Sequence, residues 1–242
     1  MSVKQKVDYG NIAIVIPAYR ETRNLQTLTR EIFRLYPGIN VVIVDDSPKN
    51  ENLKLKAILF KTKRKLKIIS RYKKLGRGSA VINGLKISLK DKNIEVFFEM
   101  DADLAHDPKE IENFLKEIKT VDMVVGSRYL KGSKIIKWPL RRLIQSKIIN
   151  FFLKIWLGVD LTDYTNGYRA YKRHTVEFLV NQRLREKGFI SLSEIAYRLK
   201  RGGFNIAEIP ISFTERKYGK SSADISELLT SLMGAIRIRF TS

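Results

Sequence analysis

Five short apolar runs, each closed by polar or turn-forming residues, mark the first half of the chain: Ile12–Pro17, Asn40–Val44, Leu66–Ser70, Glu95–Glu99 and Asp122–Gly126. Their length and their Val and Ile content read as buried β-strands. Between them Arg23–Tyr36, Glu51–Thr62, Ser79–Leu89 and Pro108–Lys119 carry helical spacing, with Pro108 as a first helical residue after Asp107 as cap. Strand–helix alternation predicts an α/β fold, a mainly parallel sheet with helices on both faces. In such sheets ligands sit beyond the carboxyl ends of the strands, so polar motifs just after strands are where chemistry is sought.

The second half reads differently. Trp138–Leu157 is an apolar but basic helix, and Asp160–Tyr171 is polar and turn-rich. Helices are expected at about Thr175–Arg185 and Ser191–Arg201, an extended segment at Asn205–Phe213, and an amphipathic helix at about Ala223–Arg239. No internal repeat or Pro/Gly-rich linker breaks the chain, so its 242 residues are expected to form one domain.

Composition narrows the class. A hydrophobic fraction of 44% and a mean hydropathy of −0.21 suit a globular protein. Cysteine is absent, which excludes disulfides and thiolate metal sites. No secretory leader is read at the start, and no run of roughly 20 apolar residues is present, so no membrane crossing is expected. The net charge of +21 favours polyanionic partners, although a Lys-rich solubilising surface would give the same number.

Three strand-end motifs carry the candidate chemistry. Asp101-Ala102-Asp103 places two carboxylates beside one small space, a donor set for Mg²⁺ or Mn²⁺ completed by phosphates and water. Pro17-Ala18-Tyr19-Arg20-Glu21 and Val44-Asp45-Asp46-Ser47 add a ring and acids that can meet a base and ribose. Each alone is also an ordinary turn. Together they place acidic groups along one edge of one sheet.

These motifs, with Gly126-Ser127-Arg128-Tyr129, resemble glycosyltransferase family 2. Trp138-x-x-x-Arg142-x-x-x-Ser146, the run Asp163–Tyr171 and Phe213-x-x-Arg216-x-x-Gly219-x-Ser221 are similar to its dolichol-phosphate (polyprenol-phosphate) mannose synthase branch. The resemblance spans Ile12 to Ser222. It implies a GT-A (nucleotide-diphospho-sugar transferase) fold and inverting transfer of mannose from GDP-mannose to a dolichyl or polyprenyl phosphate. Carried over by position, Pro17, Tyr19, Glu21, Val44 and Asp46 would line the nucleoside pocket. Asp101, Ala102 and Asp103 would meet donor and metal, the two acids as metal ligands and Asp103 also in a catalytic role. Arg128, Arg142 and Ser146 would hold the acceptor phosphate, and Arg216 would reach the donor diphosphate. Mannose is favoured over glucose by the Tyr168–Tyr171 region. Ala105 departs from the family pattern, in which a ligating side chain is common there.

A phosphate monoester is already anionic at neutral pH, its second pKa being about 6, so the site needs positioning and charge compensation more than a base. Guanidinium groups suit that task through paired donors. The helix Trp138–Leu157 combines large apolar side chains with cations, as a helix lying in an anionic headgroup layer would, and Ala223–Arg239 is a second such candidate. The expected location is therefore the cytoplasmic face of a membrane, peripherally attached. Rival readings are transfer from UDP-glucose to a polyprenyl phosphate, a donor-binding protein without activity, and a basic nucleic-acid-binding protein with Lys61–Lys74 as its contact. Nucleic acid is the weaker partner, because no reading element accompanies the charge.

Overall fold

The computed structural model describes residues 8–60, 65–186, 188–215 and 233–240. Five parallel strands form the frame: β1 (Ile12–Ala18), β2 (Asn40–Asp45), β3 (Leu66–Ser70), β4 (Val96–Glu99) and β5 (Met123–Ser127). A short β6 (Lys134–Ile136) precedes β7 (Arg169–Lys172), β8 (Ile206–Pro210) and β9 (Ser212–Thr214). The main sheet has seven strands in the order β3-β2-β1-β4-β7-β5-β8, and β6 pairs with β9 beside it. Only β7 runs antiparallel, wedged between β4 and β5.

Side-chain alternation sorts the core into two layers. Ile12, Ile14 and Ile16 of β1 face α1 (Thr22–Leu35), α2 (Lys49–Leu59) and α4 (Ile111–Glu117), meeting Leu28, Leu55 and Phe114. Ala13 and Val15 face α3 (Arg77–Ser88), α5 (Leu140–Leu157), α6 (Arg173–Asn181) and α7 (Ser191–Arg201), with Leu85, Leu153 and Ile195 beneath them. Gly84 lets α3 approach the sheet, since a Cβ there would lie 2.3 Å from Val15 Cγ1. Asp107 caps the 3₁₀ turn Pro108–Glu110 ahead of α4, accepting from the Lys109 N–H at 2.9 Å.

The register brings the motifs together. Ala18 pairs with Asp45, and Val15 with Glu99, so the carboxyl ends of β2, β1 and β4 lie side by side. The chain runs outward from β1 to β3 and then returns to the other side of β1 as β4. That reversal opens a crevice at the β1–β4 strand ends.

Three features were not legible in the sequence: β6 has no predicted counterpart, β7 overlaps the end of the stretch expected to be polar and turn-rich, and the helix expected at Pro108–Lys119 opens as a 3₁₀ turn before α4. The predicted helix Ala223–Arg239 falls mostly outside the described residues; residues 233–240 are helical.

Candidate active site

Asp101 and Asp103 follow β4 at the crevice, both partly exposed, with Ala102 buried between them. The turn is held tightly. Asp103 Oδ1 accepts from Ala105 N at 3.1 Å, and Leu104 takes a left-handed φ of 65°. For a residue with a Cβ, that conformation costs roughly 1–2 kcal/mol. Ala105 packs into the core, 3% exposed, and its carbonyl takes the Thr214 N–H at 3.2 Å, so it adds no ligand.

His106 anchors the turn from below. Its Nδ1 accepts from Asp101 N at 3.2 Å, which leaves Nε2–H to donate to Asn166 Oδ1 at 2.7 Å. The ring is 1% exposed and stacks on Tyr168 at 4.9 Å. Both nitrogens are therefore engaged in positioning.

Arg77, the first residue of α3, was not singled out by the sequence. Its Nε and Nη2 donate to Asp101 Oδ1 at 3.0 and 2.8 Å, and Nη1 reaches Glu99 Oε2 at 3.4 Å. Burial opposes its charge, but the Asp101 and Glu99 carboxylates outweigh that and raise its pKa. Gly167 makes the passage possible: a Cβ there would fall 1.9 Å from Arg77 Nη2. Glu99, fully buried, also accepts from Tyr171 Oη at 2.9 Å and lies 3.7 Å from Arg169 Nε.

The nucleoside candidates occupy the neighbouring strand ends. Tyr19 is exposed, with Arg20 and Lys74 against its ring at 5.4 and 5.2 Å. Pro17 and Glu21 are partly exposed, and Glu21 Oε2 accepts from Asn24 Nδ2 at 2.5 Å. Val44 is fully buried against the Ala80 side of the sheet, so its side chain does not reach the crevice. Asp46 is largely covered: Arg71 Nε and Nη2 donate to it at 2.5 and 2.7 Å, and Leu75 N at 2.8 Å. Asp46 thus straps the 71–76 loop across the strand ends.

The acceptor candidates gather on the other side. Arg128, after β5, is 8% exposed and forks onto Asp163 at 2.7 Å through both Nε and Nη2, with Thr165 Oγ1 also 2.7 Å from Nη2. Desolvation opposes ionisation of both partners, yet their attraction prevails: Arg128 is raised and Asp163 lowered from their ordinary values. Trp138 lies between the cations, 4.1 Å from the Arg142 guanidinium and 5.1 Å from that of Arg128. Its Nε1 is buried with no hydrogen-bond partner among the described residues. Arg142 also pairs with Glu215 at 3.1 Å. Ser146 Oγ accepts from Tyr129 Oη at 2.6 Å, which leaves the serine hydrogen to donate. Arg216 lies outside the described residues.

One turn joins the halves. Asp163 holds Arg128, Asn166 Nδ2 donates to Gly126 O at 2.5 Å while its Oδ1 meets His106, and Gly167 O meets Arg77 at 3.4 Å. Asn150 of α5 accepts from Tyr164 N at 2.7 Å. The sequence marked this turn as a motif without seeing that it bridges β4, β5 and α5.

Residues 13–179 match the family described as glycosyl transferase family 2. The chain belongs to that family. It is a glycosyltransferase, and its sheet is that of the GT-A fold. It is 32% identical over 217 residues to a polyprenol monophosphomannose synthase of Mycolicibacterium smegmatis, covering 89% of this chain and 82% of that one. With an undecaprenyl-phosphate mannosyltransferase of Micrococcus luteus it shares 31% identity over 210 residues, covering 87% and 86%. Among solved structures, glucosyl-3-phosphoglycerate synthase of Mycobacterium tuberculosis, in complex with Mn²⁺, UDP and glucosyl-3-phosphoglycerate, superimposes with a TM-score of 0.62. Identity there is 17%, with 96% of this chain and 79% of that one covered. The family 2 match includes the Asp101–Asp103 turn, Arg128, Arg142 and the bridging turn; it ends before Phe213.

Proposed function

We propose that this glycosyltransferase moves mannose from GDP-mannose to a dolichyl or polyprenyl phosphate, with inversion, at the cytoplasmic face of a membrane. The observation that carries the reading is the two-sided site: a carboxylate edge at β4 and a cation–aromatic cluster at β5 and α5, tied by the 163–167 turn. Two relatives named for mannose transfer to polyprenyl phosphates support the sugar and the lipid. The Tyr168–Tyr171 region supports neither, because all four residues are fully buried.

Asp101 and Asp103 supply hard oxygen donors, which fit Mg²⁺ or Mn²⁺. Among the described residues no group of three or more His, Cys, Asp or Glu side chains could hold a metal, so donor phosphates and water would complete the shell. A bound divalent ion would offset the charge that builds on the departing nucleoside diphosphate. Tyr19, Pro17 and Glu21 offer a ring and an acid to the nucleoside. Arg142 and Ser146, one turn apart on α5, hold the acceptor phosphate on one face of the helix. Arg128, fixed by Asp163 with Trp138 against it, shapes the site from behind. The phosphate oxygen then attacks the anomeric carbon as the bond to the diphosphate breaks, and no side chain needs to remove a proton.

Attachment to the membrane is assigned to α5. Leu140, Ile144, Ile148, Phe151 and Ile155 form one stripe, each between 49% and 71% exposed, bordered by the exposed Arg141, Lys147 and Lys154. The opposite face packs Asn150, Leu153 and Leu157 into the protein. No helix among the described residues is long and apolar enough to cross a membrane.

The test is a panel of labelled nucleotide sugars assayed against a polyprenyl phosphate. Mannose transfer from GDP-mannose is expected, falling roughly 100-fold or more in Asp103→Asn and Arg142→Ala, the loss typical of removing one preorganised charge contact. Preference for UDP-glucose, or full activity in either variant, contradicts the assignment.

A further inference from the structure

Arg77 sits where helix physics disfavours it. A cation in the first turn of a helix opposes the positive end of the macrodipole, and this side chain is also only 11% exposed. Glu99 accounts for part of its placement: Oε2 accepts from Arg77 Nη1 at 3.4 Å, a longer contact than those to Asp101, while Oε1 takes the Tyr171 hydroxyl at 2.9 Å and lies 3.7 Å from Arg169. The contact that distinguishes Arg77 is the pair of donors on Asp101 Oδ1. Gly76, with φ 96°, turns the chain into the helix at this point, and Gly167 leaves room for the guanidinium to pass.

We infer that Arg77 is a positioning residue that serves as the resident cation of the Asp101 edge, so that the site retains a divalent ion only together with a nucleoside diphosphate. The inference rests on the reading of Asp101 and Asp103 as the metal-holding pair. A guanidinium 2.8 Å from Asp101 offsets negative charge that this carboxylate would otherwise offer an incoming ion. Ala105 provides no ligand to make up the difference, and both His106 nitrogens are engaged. Diphosphate oxygens restore the missing charge and ligands, which makes nucleotide and metal arrive as one load. Arg77 also keeps Asp101 paired when the site holds no ion, avoiding an uncompensated carboxylate at a partly buried edge.

The test reads Mn²⁺ binding to the full chain by the loss of the free-ion paramagnetic signal, with and without GDP, after subtracting the Mn²⁺ that GDP alone chelates in protein-free controls. Wild-type protein is expected to bind Mn²⁺ at least tenfold more tightly when GDP is present. Arg77→Met and the hydrogen-bonding neutral variant Arg77→Gln are expected to gain at least tenfold in affinity without GDP, whereas Arg77→Lys, which keeps the charge, stays at the wild-type value. Thermal melts check that each variant is folded, and the wild-type comparison stands even where a variant is not. Equal wild-type affinity with and without GDP overturns the inference, as does an unchanged or weakened nucleotide-free affinity in a folded neutral variant; either outcome leaves the metal-holding pair standing. Mn²⁺ bound under neither condition overturns that pair, and the inference with it.

Discussion

Individual side chains in this site are fixed by partners distant in sequence, and substitutions at those partners test the geometry. Gly167→Ala would place a methyl group 1.9 Å from Arg77 Nη2. Overpacking of this kind costs about 1–3 kcal/mol, so a lowered melting temperature and weaker nucleotide binding by calorimetry are expected together. The Arg128–Asp163 pair is fully enclosed, and breaking such a pair from one side costs about 3–5 kcal/mol. Asp163 is held below its ordinary value of 3.8. Its contribution is complete above that value and is lost as pH falls through the lowered one. Chemical denaturation of wild type and Asp163→Asn should therefore differ most at neutral pH and converge as the pH drops below the ordinary carboxylate range. A gap that stays constant into strong acid would contradict the pairing. The acids were legible in the sequence because each follows a strand. Arg77 was not, because only the strand order brings it to Asp101, 24 residues away. Nor was the burial of Arg128 and Val44, which depends on what packs over them.

At the level of elements, period and punctuation located the strands β1 to β5 and most helices within a few residues. β7 escaped because its four residues, Arg169–Lys172, have no alternation to mark them; flanking pairing with β4 and β5 makes the strand. The sequence left α5 open between core helix and membrane helix; the structure shows one face packed in the core and an exposed apolar stripe opposite it. Its exposed stripe defines a test. Ile148→Glu with Phe151→Glu alters two side chains that are 62% and 67% exposed, so the melting temperature should hold within a few degrees. Flotation with vesicles containing anionic lipid should be lost in that variant and retained in wild type. Retention by the double variant would assign membrane contact elsewhere.

Across the whole molecule, the surplus of +21 and the acidic strand edge answer different partners. Cations on α5 border its apolar stripe, whereas the acids cluster at the ends of β1, β2 and β4, where the proposed cation-bridged diphosphate would bind. A mainly parallel sheet with helices on both faces was legible from strand–helix alternation, and with it the strand-end edge where the candidate motifs gather. How the two sides of the site connect was not, since the 163–167 turn acts through carboxylate, amide and backbone contacts with residues of three separate segments. In the proposed reaction the β4 edge gathers the activated sugar and its divalent ion. The most direct measurement is the manganese anomalous signal from crystals of this protein grown with Mn²⁺ and GDP. One peak is expected, coordinated by the diphosphate and the Asp101–Asp103 turn. Bound GDP with the manganese absent from that turn would contradict that assignment.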